Sequence, residues 1–342
     1  MVERRATEPV VRVARADPSL TAIVTAQTPL FYAEGACPAS DRPSHVRAGS
    51  SLARVPGGIA VVQDDANFIA VIDASRRVSA IELPAGPEGR RLFDDSRGNK
   101  AQKLDLEACV AIESPDGSLL LAFGSGSSPV RRRIVCVEWP RAGEAPSVSL
   151  IDADALYESL ERATDFAGSQ LNVEGAVRLG DRLRLFGRGN GRGADILRPR
   201  NATCDLDLAR LLAYLREPTR QLPPAPTAIV QYDLGSITDV PLGFTDATAW
   251  RDRLLFTASA ERTEDATRDG PVTGSAMGVI GPDEQARWCM LTDPYGDAYA
   301  GKVEGVIAPS PDHSRLLAVV DADDPTVPSL LCDVELRGSW AP

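Results

Sequence analysis

EACVAIESPDGSLLLAFGS (107–125) carries two short apolar runs around the turn Ser114-Pro115-Asp116-Gly117. A glutamate heads the first run, the second is almost wholly aliphatic, and a glycine and serine close it. Pro-Asp-Gly between such runs is a hairpin signal, because proline presets the first turn angle and glycine tolerates the last. Four further stretches follow the same plan. They are SLARVPGGIAVVQDD (51–65), EGAVRLGDRLRLFGR (174–188), DATAWRDRLLFTASA (246–260) and EGVIAPSPDHSRLLAVV (304–320). In most cases two more strand-like runs come next, such as FIAVID (68–73) with VSAIEL (78–83), or RIVCVEW (133–139) with SVSLID (147–152).

A unit of about four strands repeated around the chain predicts an all-β protein. A lone four-stranded blade cannot bury both of its faces, whereas a ring of blades can. The expectation is a single five-bladed β-propeller over 1–342 with short helical insertions. Its blades run roughly over 44–98, 99–163, 164–236, 237–296 and 297–342. The last unit has three clear strands, so a strand within 8–28 (VVRVARA or LTAIVTAQ) is expected to complete it and remove an exposed edge. DADALYESLERA (152–163) and DLDLARLLAYLRE (205–217) repeat leucine at helical spacing behind acidic residues suited to an N-cap.

Composition narrows the function. A net charge of −11 argues against nucleic acid or an anionic membrane surface as partner, and no apolar run approaches the length of a membrane span. Six scattered cysteines without a CxxC, beside only two histidines, argue against a Cys/His zinc site and fit a reduced, cytoplasmic protein. Cys109 and Cys136 lie in apolar runs as buried thiols.

Aligning the first strands sets Ser51, Glu107, Glu174, Asp246 and Glu304 in register, at separations of 56, 67, 72 and 58. First strands of a propeller line its central channel, so these side chains are expected to converge. Bare carboxylates that close repel one another, and a cation relieves the repulsion. Oxygen ligands alone favour a hard ion, Ca²⁺ before Mg²⁺. The second strand returns to the same face, so Asp64, Asp65, Ser125, Arg188, Asn190, Glu261 and Asp321 are expected to rim the mouth.

Ser51, Glu107, Glu174, the polar residues of GFTD (243–246) and Glu304 in KVEG (302–305) resemble the metal-ligand pattern of the calcium-activated nucleotidases, or soluble apyrases. More loosely, LNVEGA (171–176) with LFGRGNG (185–191) resembles uncharacterised bacterial propellers and the esterase-like phytase group. The resemblance implies five blades and a central Ca²⁺ held by Ser and Glu side chains, with Thr245 as the alternative to Asp246. The chain departs from that family in having few aromatic residues, 5% overall.

Only three lysines occur, at 100, 103 and 302, all shortly before ring acids. Lys103, Lys302, Asn190 and Glu261 are therefore expected to bind a small anionic substrate. Asp64 or Asp65 would serve as base, and Arg188 would steady developing charge. The expected activity is metal-dependent hydrolysis of a phosphate ester or anhydride. The alternatives are a non-catalytic binding propeller with a structural calcium ion, or a lactonase or lyase using the same metal. RRR (131–133) reads as a solvated patch, His45 as a residue that reaches the mouth, and His313 as surface. No G-x-S-x-G elbow or Ser-His-Asp order is present.

Overall fold

The computed structural model describes residues 10–115, 117–141, 144–190, 193–194, 196–262, 270–308 and 315–340. The chain is mostly β, and its strands follow antiparallel runs in sequence order. Run one is Gly49–Val55, Gly58–Gln63, Phe68–Ile72 and Val78–Glu82. Run two is Leu106–Ser114, Gly117–Gly124, Arg133–Pro140 and Ser147–Asp152. Run three is Val173–Leu179, Arg182–Gly187, Asn201–Asp207 and Thr227–Asp233. Run four is Val240–Trp250, Arg253–Glu261, Val272–Ile280 and Ala286–Thr292. Run five is Lys302–Ile307, Arg315–Asp321 and Leu330–Gly338, to which Leu20–Pro29 adds antiparallel as the outer strand.

Runs four and five share one sheet, because Leu291 and Thr292 pair in parallel with Ala22 and Ile23. The N-terminal segment laces other edges too. Val10–Val13 pairs in parallel with 230–233, and Arg15–Ala16 with Arg287 and Trp288.

The first strands touch one another in cyclic order, from run one through run five and back to run one. Between each neighbouring pair lies a separate apolar layer. Leu52, Val61, Ile307 and Val319 fill the layer that joins run five to run one. In the layer between runs three and four, Phe244 meets Phe186, Phe256 and Tyr232 edge-on at centroid distances of 5.2, 5.2 and 5.6 Å. Edge-to-face packing of this kind adds to simple area burial.

The helices Asp154–Arg162 and Leu208–Arg216 bury Leu156, Tyr157, Leu160, Leu211 and Tyr214 against runs two and three. Asp207 caps the second helix through Arg210 N at 2.8 Å. Residues 205–207, read from sequence as helix, end a strand instead, since Asp205 takes the guanidinium groups of Arg182 and Arg184. Among the described residues no helix is long and apolar enough to cross a membrane, and all six cysteines are free thiols.

One irregularity recurs. Each first strand slips register by one residue against its neighbour, at Ser50, Glu107, Glu174, Thr245 and Glu304. A bulge of this kind bends the strand and re-aims the extra side chain. Five bulges at equivalent positions fix which residues face the mouth.

Candidate functional site

The bulges correct the alignment read from sequence. Ser50 and Thr245 occupy the positions equivalent to the three glutamates; Ser51 and Asp246 lie one residue further on. Ser51 Oγ donates to Asp246 Oδ2 at 3.2 Å, and Val306 N donates to the same oxygen at 2.9 Å. Burial holds the Asp246 carboxyl far above the usual aspartate range. The bulge hydroxyls are committed to neighbouring backbone. Ser50 Oγ donates to Leu106 O at 2.5 Å and Thr245 Oγ1 to Val303 O at 2.7 Å. Glu107, Glu174 and Glu304 therefore carry the acidity of this tier.

Two residues before each bulge stand Ala48, Asp105, Asn172, Gly243 and Lys302, all of which but Gly243 line the funnel. Asp105 and Asn172 line the funnel without having been singled out in the sequence. The alternation Lys103-Asp105-Glu107 was the signal that marks Asp105. Its backbone lies in the left-handed region at φ 57°, uncommon for a non-glycine residue and typical of constrained functional positions.

The funnel is a narrow polar cavity of about 30 Å³, lined by seven carboxylates and four cationic side chains. Its net charge is −3 if all are ionised. Lys103 Nζ contacts Asp64 and lies 2.7 Å from Asp105 Oδ1. Arg131 Nη1 takes the other Asp105 oxygen at 2.9 Å, and Ser125 Oγ donates to that oxygen as well. Arg131 is buried here rather than solvated, because Asp105 holds it; Arg132 and Arg133 do point outward, to Glu161 and Asp152. Arg188 Nη2 reaches Glu261 at 2.7 Å and Ser259 Oγ at 2.8 Å, while its Nη1 is 3.4 Å from Glu174. Asn172 Nδ2 donates to Glu174 at 2.6 Å and to Asn190 at 3.3 Å. Lys302 Nζ lies 2.9 Å from Glu304 and 3.3 Å from Asp323.

Four funnel carboxylates remain under-compensated, among them Asp321, which burial pushes well above the usual aspartate range. Burial, with Asp64 and Glu174 nearby, pushes Glu107 well above the usual glutamate range. Burial pushes Glu174 up to about 8 despite Arg188. Glu304 also rises, chiefly through burial, and its Oε2 is a buried oxygen with no hydrogen-bond partner. By contrast, Lys103 and Arg131 overcome burial and hold Asp105 below its ordinary value. Single oxygens of Asp64, Asp105 and Glu107 lie within 4.8 Å of one another.

A vestibule adjoins the funnel and shares Ala48, Asp64, Lys103 and Asp321 with it. Asp65 lies on the vestibule wall, held by Arg47, which also reaches Asp94 at 3.1 Å. Of the expected rim residues, Asp64, Arg188, Asn190, Glu261 and Asp321 line the funnel, and Ser125 supports Asp105 from behind. His45 instead faces Pro325 O at 3.2 Å, and His313 lies outside the described residues.

Fold and site together define a mostly β protein whose neighbouring runs close around a polar funnel of opposed charges. The chain belongs to the family of unknown function DUF6929, whose model matches residues 45–336. No curated protein matches it. Among solved structures it is similar to the glutaminyl cyclase of Myxococcus xanthus, with 10% identity and a TM-score of 0.46 over 97% of this chain and 99% of that one. It is also similar to the Bacillus subtilis arabinanase Arb43A, with 12% identity and a TM-score of 0.41 over 84% and 94%. Virginiamycin B lyase from Staphylococcus aureus gives 9% identity and a TM-score of 0.38 over 92% and 99%.

Proposed function

We propose that the protein is a five-bladed β-propeller whose mouth holds one hard divalent cation, Ca²⁺ ahead of Mg²⁺, and hydrolyses a phosphate ester or anhydride there. The count of five rests on the cyclic contacts of the first strands and the apolar layer between each pair. The cation rests on one observation above others: Asp64, Asp105 and Glu107 bring oxygens within 4.8 Å of one another, in the funnel that a buried, unpartnered Glu304 oxygen also lines. Lys103 and Arg131 compensate Asp64 and Asp105, but Glu107 and the Glu304 oxygen are buried without full compensation, which a cation would supply. An oxygen-only donor set with more than six candidate ligands suits the flexible coordination of Ca²⁺ better than the strict octahedron of Mg²⁺.

A bound cation would polarise a phosphoryl oxygen. The chain's own residues divide the remaining work. Asp64 is the base that faces the funnel, in contact with Lys103, and Asp65 is held by Arg47 on the vestibule wall. Arg188 positions Glu174 and Glu261, both of which it touches, and Lys302 is the cation placed to meet an anionic group.

One observation favours a second reading, a binding module in which the ion only pins the blades together. Lys103, Arg131, Arg188 and Lys302 are all paired to carboxylates already. The six free thiols fit a reducing compartment under either reading. Turnover should be measured on phosphate esters, anhydrides and lactones, with saturating Ca²⁺ and with EDTA. Ca²⁺-dependent release of phosphate supports the hydrolase. Ca²⁺ binding without turnover on any compound leaves the binding module, and turnover on lactones alone reassigns the chemistry.

A further inference from the structure

We propose that Lys103 is a tethered counter-ion, which occupies the cation position beside Asp64 and Asp105 and withdraws into the adjoining vestibule when a metal ion enters. This deepens the cation reading of the funnel and rests on it.

Lys103 Nζ bonds two of the three carboxylates whose oxygens cluster, Asp64 and Asp105. With only 5% of the residue exposed, the ammonium lies inside the site rather than at its edge. A metal ion ligated by the same oxygens would stand within contact distance of that ammonium, and like charges so close are strongly unfavourable. One of the two must leave.

The carboxylates are the fixed partners. Asp105 is gripped on its second oxygen by Arg131 and Ser125, on a backbone already set at φ 57°. Lysine has a flexible four-carbon stem and a point charge that adapts to new partners. Its exit is adjacent, because Lys103 lines both the funnel and the vestibule, whose wall carries Asp321 together with Asp65 and Asp94, which Arg47 holds, and Asp323, which Lys302 reaches. Lys302 differs: its ammonium bonds Glu304 and Asp323 and lies 3.8 Å from Glu261.

The displaced ammonium lowers cation affinity in the wild-type protein and excludes weakly held monovalent ions. Replacing the charge while keeping most of the stem, as in Lys103→Met, should tighten Ca²⁺ binding on the order of tenfold to a hundredfold. The chain's three lysines make the movement directly readable. The full-length protein is acetylated with and without Ca²⁺, and modification at each lysine is followed by peptide mass spectrometry. Lys100, half-buried on the vestibule wall and facing Asp95 at 3.6 Å, is the reference. Calorimetry gives Ca²⁺ affinity for wild type, Lys103→Met and Lys302→Met.

The expected result is faster acetylation of Lys103 than of Lys100 on Ca²⁺ addition, with tighter binding in Lys103→Met alone. Binding by Lys103→Met where wild type binds nothing also supports the displacement. Wild-type binding with unchanged Lys103 acetylation, and no tightening in Lys103→Met, overturns the displacement while leaving the cation site standing. If neither protein binds Ca²⁺, Mg²⁺ or Mn²⁺, the cation reading fails and takes this inference with it.

Discussion

Arg188 lies across Gly243: a Cβ built on the glycine would come within 2.8 Å of Arg188 Cγ and 3.0 Å of its Nε. The bare backbone of run four thus makes room for an arginine from run three, which then reaches Ser259 and Glu261 on the far side. Gly243→Ala should push Arg188 out of this seat and cost about 1–3 kcal/mol, as overpacking of a close-packed site does. Chemical denaturation should give a lower midpoint with an unchanged slope. An unaltered midpoint would show that the close approach carries no weight.

Removing the arginine is predicted to be worse. Glu174 and Glu261 have side chains only 4% and 3% exposed, so Arg188→Ala removes the cation that bridges two buried carboxylates and leaves Glu261 only the longer contact to Lys302 at 3.8 Å. Breaking such a pair costs about 3–5 kcal/mol. The sequence reading gave Arg188 the task of steadying developing charge, and its observed partners make it a structural residue as well. Adding Glu261→Gln to Arg188→Ala should recover part of the loss; a double variant no more stable than Arg188→Ala counts against this pairing.

Stability without metal should fall as pH rises from about 5 to 8. Burial pushes Glu174 up to about 8 from 4.5, so the folded state keeps a proton that the unfolded chain gives up across that window. Stability from the neutral acid is complete below the unfolded value and is lost as pH climbs through the folded one. Glu107 and Glu304 shift in the same direction. Ca²⁺ favours the ionised forms, so its binding should release protons below pH 8 and strengthen with pH. Melting temperatures in EDTA across this range, with calorimetry in two buffers of different ionisation enthalpy, check both halves. A melting temperature that rises steadily to pH 8 in EDTA contradicts the first.

The ends of the chain make a separate prediction. Leu20–Pro29 is the fourth strand of run five and also meets run four, whereas Val10–Val13 and Arg15–Ala16 only border other edges. Removing residues 1–19 should lower the melting temperature while keeping one cooperative transition. Removing 1–29 should abolish that transition, since it exposes the edge of Leu330–Gly338 and the apolar layer behind it. A cooperative melt in the longer deletion would contradict the role given to this strand.

The strand plan was readable because apolar runs and Pro-Gly or Asp-Gly turns are local signals. Glu107, Glu174 and Glu304 were readable because a carboxylate at the head of an aliphatic strand is conspicuous. Ser51 was placed one residue off, and Thr245, held as the alternative to Asp246, is the bulge residue of run four, since a bulge adds a residue without marking it in hydrophobic pattern or turn chemistry. Arg131 was read as solvated within RRR because its partner, Asp105, is 26 positions away in sequence and meets it only through tertiary packing. Arg188 drew attention as a rim cation, yet nothing local revealed that Gly243 seats it or that its donors are spent on Glu174, Ser259 and Glu261.

The central claim is a divalent cation held by the acids of the funnel, and Glu107 is the residue that tests it best. It is under-compensated, it belongs to the oxygen cluster, and glutamine keeps its shape while removing its charge. The measurement is the Ca²⁺ dependence of the melting temperature for wild type beside Glu107→Gln. Wild type should gain stability on adding Ca²⁺, about 2.7 kcal/mol at a hundredfold excess over Kd. Glu107→Gln should be at least as stable as wild type in EDTA and should gain much less from the ion. Wild-type curves that coincide in EDTA and in excess Ca²⁺, or a Glu107→Gln variant that gains as much as wild type, would contradict the account.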